Sequence, residues 1–258
     1  MIHGLRVLAL VTARGGSRGL PGKNLREVRG RSLLERTVAA GREATAVDRV
    51  ILSSDDPEII QAAVAVGCEV PFIRPAELAT DAARSVDVVR HALTMLPERY
   101  DLVVLLQPTS PLRRADDVDA AIGLCVCRDA PACVSVTAAD KTPFWMYRLD
   151  DRQGLAPILS NDGNVSRRQD LPPAYAINGA VYVARRDWIM THDSFMGPRT
   201  VGYVMPKERS IDIDDEMDLV LAEVLEAWSE RGETSPAQHH ARLRRRLRRR
   251  QHGVASTS

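Results

Sequence analysis

Apolar residues follow two rhythms along this chain. Leu5 to Thr12 is a continuous apolar, β-branched run, the mark of a strand buried on both faces. Ser32 to Glu43 then sets Leu33, Leu34, Val38 and Ala39 at helical spacing. Val50 to Ser53 reads as a second strand, and Pro57 to Val66 as a helix with Pro in its first turn. Val86 to Leu96 predicts another helix, Leu102 to Leu106 a very apolar strand, Ala115 to Cys125 a helix and Cys133 to Thr137 a strand. Strands alternating with helices of these lengths predict βαβ units and an α/β fold. Its sheet is mostly parallel and covered on both faces.

The rhythm breaks after Thr137. Ala138 to Tyr175 is polar, rich in Pro, Asn, Asp and Arg, and has no clean helical period. That is long for a plain loop in a compact domain, so it predicts a protruding arm with short strands of its own. Alternation resumes at Ala180 to Val183, and Val201 to Val204 predicts a last strand. Asp215 to Trp228 carries a helical stripe of Met217, Val220, Leu221, Val224 and Leu225. The resulting organisation is an α/β core over 1–137, an arm over 138–177, the rest of the core over 178–230 and a mobile Arg-rich tail over 231–258. Protruding arms pack on second subunits, which predicts a C2 homodimer.

Composition narrows the class. Hydrophobic residues make up 45% and charged residues 27% of 258, ordinary for one large globular domain. No apolar run approaches the length needed to span a bilayer. The start lacks the basic flank and small-residue cleavage site of a secretion signal, which points to the cytoplasm. The four cysteines, Cys68, Cys125, Cys127 and Cys133, have neither the number of a disulfide framework nor paired metal-ligand spacing; they read as small buried residues. The formal charge of +1 hides an asymmetry: seven of the 35 basic side chains are arginines between Arg242 and Arg250, leaving 28 basic against 34 acidic elsewhere. A polyanion-binding protein working through this tail is the alternative reading. The acidic body opposes it, since a nucleic-acid binder carries basic charge on its body too.

The chemistry concentrates after the first strand. Ala13-Arg14-Gly15-Gly16-Ser17-Arg18-Gly19-Leu20-Pro21-Gly22-Lys23-Asn24 packs four glycines and three cations into a dozen residues. Ligands of open α/β sheets bind at the carboxyl ends of strands. Glycines let backbone N–H groups form an anion-binding nest, while Arg14 and Lys23 neutralise phosphate. The string is neither a Walker loop, since Gly22-Lys23 is followed by Asn24, nor a GxGxxG. A nucleoside triphosphate bound in another way is the expected ligand.

That loop resembles the signature of the acylneuraminate cytidylyltransferases, or CMP-sialic acid synthetases. Further matches follow in order: Ser53-Ser54-Asp55-Asp56, Arg74-Pro75-Ala76-Glu77-Leu78-Ala79, Thr80-Asp81, Ser85 and Gln107-Pro108-Thr109-Ser110-Pro111-Leu112-Arg113. Arg168-Gln169-Asp170-Leu171-Pro172, Asn178-Gly179-Ala180-Val181-Tyr182 and Ile211-Asp212-Ile213-Asp214 complete the series. The likeness spans about residues 5–228. Related Kdo enzymes have Pro where this chain has Asn24.

The resemblance implies a Rossmann-like, glycosyltransferase-A-like nucleotidyltransferase sheet. It also implies a Mg²⁺-dependent reaction between CTP and a nine-carbon 2-keto sugar acid. The anomeric hydroxyl attacks the α-phosphorus and pyrophosphate leaves. On the family pattern Arg14, Gly15, Gly16, Ser17, Arg18, Lys23 and Asn24 hold the phosphates, with Arg18 standing where the family has Lys. Arg74, Ala83 and Ser85 take the cytosine end, and Asp81 caps the helix at Ser85 or orients the loop. Gln107, Asn178, Tyr182 and Phe195 face the sugar. Lys141 and Arg168 come from the partner subunit to the sugar carboxylate, making each active site composite. Asp212 and Asp214, two residues apart on an extended segment, point the same way. They offer the hard oxygens magnesium prefers. Asp214 is also a candidate proton acceptor, and Asp215 reads as the cap of the following helix. Phe195-Met196 replaces the pair of aromatics the family often shows, which leaves open a differently substituted acid of the legionaminic, pseudaminic or Kdn type.

Overall fold

The computed structural model describes residues 2, 4–16, 19–159, 167 and 171–230. Strands β1 (Val7–Thr12), β2 (Glu27–Val28), β3 (Arg31–Ser32) and β4 (Arg49–Ser53) open the chain, with helix α1 (Leu33–Glu43) between the last two. Helices α2 (Pro57–Ala65) and α3 (Ser85–Met95) lead to β5 (Leu102–Leu106), then α4 (Ala115–Cys127) and β6 (Ala132–Ala138) follow. A hairpin, β7 (Tyr147–Leu149) and β8 (Leu155–Pro157), stands apart from the sheet. The chain then runs through β9 (Tyr175–Arg185), α5 (Arg186–Thr191), β10 (Val201–Val204) and α6 (Glu216–Glu230).

Six strands form one sheet in the order β10-β6-β9-β5-β1-β4. All pairings are parallel except those of β9, which runs antiparallel between β5 and β6. The expected α/β fold with a mostly parallel sheet is what the chain adopts. Strand β1 shows why both faces are covered. Val7, Ala9 and Val11 enter one apolar cluster, beneath α1, α2 and α4; Leu8 and Leu10 enter another, with α3 and α5. Local chemistry places the helix starts: the Ser32 hydroxyl accepts from Glu35 N at 3.1 Å, and Asp56 caps α2 ahead of Pro57.

Two elements differ from the pattern. β9 extends well beyond the alternation of 180–183, because Tyr175 to Ile177 pair with β6 across a bulge between Val134 and Val136. Backbone pairing, not apolar alternation, carries that end of the strand. In α6 the buried residues are Leu219 and Ala222, while Met217, Val220, Leu221 and Val224 face outward. The helix is turned by the bidentate bond of Arg36 to Glu226, at 2.7 and 2.8 Å, and by a third apolar cluster. That cluster joins Leu20, Val28, Leu33, Ile211, Ile213, Leu219 and Ala222. Cys68, Cys125 and Cys133 are buried thiols, and Cys127 is exposed. Among the described residues no helix is long and apolar enough to cross a membrane.

Ile213 is fully buried in the third cluster. Ile213→Ala is expected to lower stability by about 2–4 kcal/mol in urea titration, the usual cost of a core cavity. A loss below about 1 kcal/mol would mean that this side chain does not anchor its segment.

Candidate active site

The loops after β1 and β5 leave the sheet at the point where the chain turns from building one side of β1 to building the other. Because β9 runs backwards, its first half arrives at the same edge. A cleft of about 430 Å³ opens there, lined by Arg14, Lys23, Asn24, Arg74, Ala83, Ser85 and Gln107 among others. Seven residues expected to hold ligand thus share one wall system. Thr12, Thr80, Pro108 and Thr109 line it as well; sequence reasoning did not single them out, although the last two lie inside the Gln107–Arg113 motif.

The glycine-rich loop and the aspartate segment meet directly. Lys23 Nζ donates to the Ile213 carbonyl at 2.7 Å and to Asp214 Oδ1 at 3.2 Å. A Cβ on Gly19 would fall 2.9 Å from the Asp214 carbonyl, so only glycine allows that approach. The segment 211–214 is extended coil instead of a paired strand, but the alternation holds: Ile211 and Ile213 are buried, Asp212 and Asp214 exposed. Ile213 N donates to the Thr109 carbonyl at 2.7 Å, which ties the aspartates to the β5 loop. Asp215 caps α6, accepting from Met217 N at 2.8 Å and Asp218 N at 3.1 Å. Asp218 in turn accepts from Asp214 N and Asp215 N.

On the nucleotide side, Arg14 is ion-paired with Asp81 and donates to the Ala79 carbonyl at 3.3 Å. Asp81 therefore orients the loop; the α3 cap position is Arg84, with no side-chain cap bond. Asn24 is buried and donates to the Arg14 carbonyl at 2.9 Å, while Gly15 N donates to Asp55 at 3.1 Å. Gly16 holds a left-handed φ of 67°. Arg74 is buried, not a solvated strand-end charge. It bonds the Ser53 hydroxyl at 3.0 Å and the Ser53 carbonyl, and burial brings its guanidinium down to about 10. It remains a cation at neutral pH, wedged against the cleft.

On the other side, three polar side chains converge. A Cβ built on Gly179 would meet Gln107 Oε1 at 3.1 Å, Asp212 Oδ2 at 3.4 Å and Ser110 Oγ at 3.4 Å. Tyr182 stands behind them, its ring 5.4 Å from that of Phe195. Burial, then the charge of Asp212, raises its phenol. Two expected sugar contacts sit elsewhere. Asn178 is buried within the sheet, accepting from Ser135 Oγ at 2.6 Å and donating to Ser210 Oγ at 2.9 Å. Its amide is spent on bracing the bulge next to Gly179. Phe195 is core, 5% exposed, because it packs on Tyr182 and the α3 face. Lys141 is exposed at the foot of the arm and does not line its own chain's cleft. Ser17, Arg18, Arg168 and the tail 231–258 lie outside the described residues.

Known proteins are similar to this chain in sequence and fold. The cytidylyltransferase family profile matches residues 8–216. The chain is 32% identical over 226 residues to a CMP-N,N'-diacetyllegionaminic acid synthase of Legionella pneumophila, covering 86% of this chain and 96% of that one. It is 34% identical over 218 residues to an N-acylneuraminate cytidylyltransferase of Escherichia coli, covering 84% of this chain and 51% of that longer protein. A solved CMP-2-keto-3-deoxy-manno-octonic acid synthetase, in complex with CTP, superposes with a TM-score of 0.64 at 19% identity. That match spans 87% of this chain and 99% of the other, and it establishes the common fold. The chain belongs to the cytidylyltransferase family that includes the acylneuraminate enzymes.

The electrostatics of Asp212 have a measurable consequence. Its surface edge is open, but the cleft wall desolvates the carboxyl and raises it above the ordinary carboxylate range. A Thr109 hydrogen bond opposes this, Asp214 adds to it, Lys23 opposes and Asp218 adds. The folded state therefore holds this proton more tightly than the unfolded chain, and ionising the group costs stability as pH rises through the raised value. Asp212→Asn is expected to raise Tm at pH 7 by about 1–2 °C, a modest gain for a partly exposed charge. The gain should shrink as pH falls to the unfolded carboxylate range. A lower Tm at pH 7 would contradict the stated repulsion.

Proposed function

We propose that this chain transfers the cytidylyl group of CTP to the anomeric hydroxyl of a nonulosonic acid, forming a CMP-sugar and releasing pyrophosphate. The observation that carries the reading is the meeting of the cation-bearing glycine loop with the aspartate segment through Lys23, at the mouth of a cleft floored by Gln107. Arg14 and Lys23 sit where a triphosphate would lie, and Arg74 with the backbone near Ala83 faces the base. A buried arginine donor suits the cytosine O2 and N3 acceptors, and a carbonyl suits the N4 amino group.

The residues fit magnesium. Asp212 and Asp214 present oxygen donors within one short segment, in a cluster whose negative charge Lys23 only partly offsets. Magnesium keeps several waters and takes one or two carboxylates plus substrate phosphates, which two such aspartates can supply. Bound there, magnesium would supply charge neutralisation for the triphosphate. The chain's own work is positioning and electrostatics. Arg14, held by Asp81, and Lys23, held by the Ile213 carbonyl, fix the phosphates. Gln107 and Tyr182 orient the acceptor, and Asp214 is placed to accept the hydroxyl proton.

The legionaminic and neuraminic relatives support a nine-carbon acid in general. The arm supports a homodimer in which Lys141 and Arg168 serve the partner's site. Leu149 and Leu155 are 59% and 67% exposed on its hairpin, and Tyr175 and Ile177 are exposed at the start of β9. Such a patch on a protruding element is what a second copy would cover.

A pyrophosphate-release screen of the four nucleoside triphosphates against neuraminic, Kdn, legionaminic, pseudaminic and Kdo acids tests the reaction. Turnover is expected with CTP and a nine-carbon acid, to be abolished in Asp212→Asn and to survive removal of residues after Pro236. Loss of turnover on that truncation, or preference for a purine nucleotide, would refute the assignment. For the assembly, Leu155→Glu is expected to move the protein from dimer to monomer in analytical ultracentrifugation; an unchanged mass would remove the arm from the interface.

A further inference from the structure

Arg113 ends the Gln107–Arg113 motif, and nothing in the chemistry above uses it. Its side chain is 4% exposed. None of its hydrogen bonds goes to a carboxylate: Nη1 donates to the Gln107 carbonyl at 3.1 Å and the Ala180 carbonyl at 2.6 Å, and Nη2 to Thr37 Oγ1 at 2.7 Å. Nε is buried without a partner. A buried guanidinium held only by neutral acceptors is an expensive way to fill space, so what its bonds join carries information.

They join the two backbone segments that frame the acceptor side of the cleft. Gln107 follows the last residue of β5, and Ala180 follows Gly179 in β9, close to where Leu105 pairs with Tyr182. In front of these carbonyls, Gln107, Ser110 and Asp212 converge on the Gly179 position within 3.1–3.4 Å of a built Cβ. Behind them, Nη1 alone bonds both carbonyls, while Nη2 is anchored on Thr37. The nucleotide end has separate supports, Asp81 on Arg14, Asn24 on the loop and Ser53 on Arg74. Thr37 completes the seat from α1, its own hydroxyl donating a hydrogen bond to the Leu33 carbonyl at 2.9 Å.

We propose that Arg113 is a positioning residue for the sugar-acid end of the site, setting the separation of Gln107 and Gly179 and with it the aim of the Gln107 side chain and the Asp212 carboxylate. The proposal rests on the reading of the cleft given above. A lysine is shorter and lacks the second nitrogen that Thr37 holds; a methionine donates to neither carbonyl.

The test is steady-state pyrophosphate release by the full chain, with Tm, for the native protein and the Arg113→Lys, Arg113→Met and Thr37→Val variants. Arg113→Met is expected to raise the KM for the sugar acid about tenfold or more and to lower kcat, with the CTP KM within about twofold, as misplacement of one reactant predicts. Arg113→Lys should fall between. Thr37→Val leaves both carbonyl bonds in place, so it should lower Tm and move neither KM. Parallel rises in both KM values, or a Thr37→Val effect on the sugar KM equal to that of Arg113→Met, would reduce Arg113 to general packing and overturn the proposal. Should Arg113→Met not fold, an unchanged sugar KM in Arg113→Lys would overturn it alone. A native protein that turns over no nonulosonic acid with CTP would instead sink the functional reading, so the two failures are separable.

Discussion

The contact on which this site depends is the burial of Ile211 and Ile213 against Leu20, Val28, Leu33 and Leu219. Leu20 belongs to the glycine-rich loop after β1, and the two isoleucines belong to a segment some 190 residues later. Removing those side chains from water is worth about 1.5–3 kcal/mol each, enough to hold two loops together that share no sheet. Because the isoleucines alternate with Asp212 and Asp214, driving them inward drives the aspartates outward toward the glycine-rich loop. The polar bridge of Lys23 to the Ile213 carbonyl and Asp214 then fixes the register. Lys23 is partly shielded and Asp214 open to water, so the apolar contact supplies stability and the ion pair supplies geometry.

The charges are arranged for a ligand, not for the folded chain alone. Asp212, Asp214 and Asp218 crowd one turn; desolvation first, and then the charges of its two neighbours, raises the Asp212 carboxyl. Across the cleft, Arg74 is buried beside Arg14 and lowered by desolvation. Each side is imperfectly neutralised by the protein. A triphosphate and a hard cation placed between them would relieve both, which is the usual trade of stability for function at such sites.

Much of this was legible in the chain because the relevant rules are local. The β1 and β5 runs, the Ser32 and Asp56 caps and the spacing of the aspartates each follow from a few neighbouring residues. The glycine loop announced its chemistry by composition. What stayed hidden depends on distant partners. Asn178 carries a family sugar motif, yet its amide is drawn into the bulge by Ser135 and Ser210, a demand invisible without the β6–β9 pairing. Phe195 and the outward turn of α6 were likewise decided by packing: the first by Tyr182, the second by Arg36 and Glu226. The role of Arg113 was masked for the same reason, since its acceptors are backbone carbonyls and one threonine that sequence spacing does not connect.

The reversed strand sets one half of the cleft apart from the other. Parallel strands present their carboxyl ends to a ligand, and in this fold the loops after β1 and β5 line the cleft. β9 enters from the arm and presents its amino end, so residues 175–179 connect the sheet edge to a segment lying outside the core packing. Substitutions in the arm can change what reaches Gln107 and Gly179 without disturbing either main apolar cluster, because the hairpin 147–157 is exposed along its whole length. A fold built this way keeps the packing of the two main apolar clusters independent of the exposed arm.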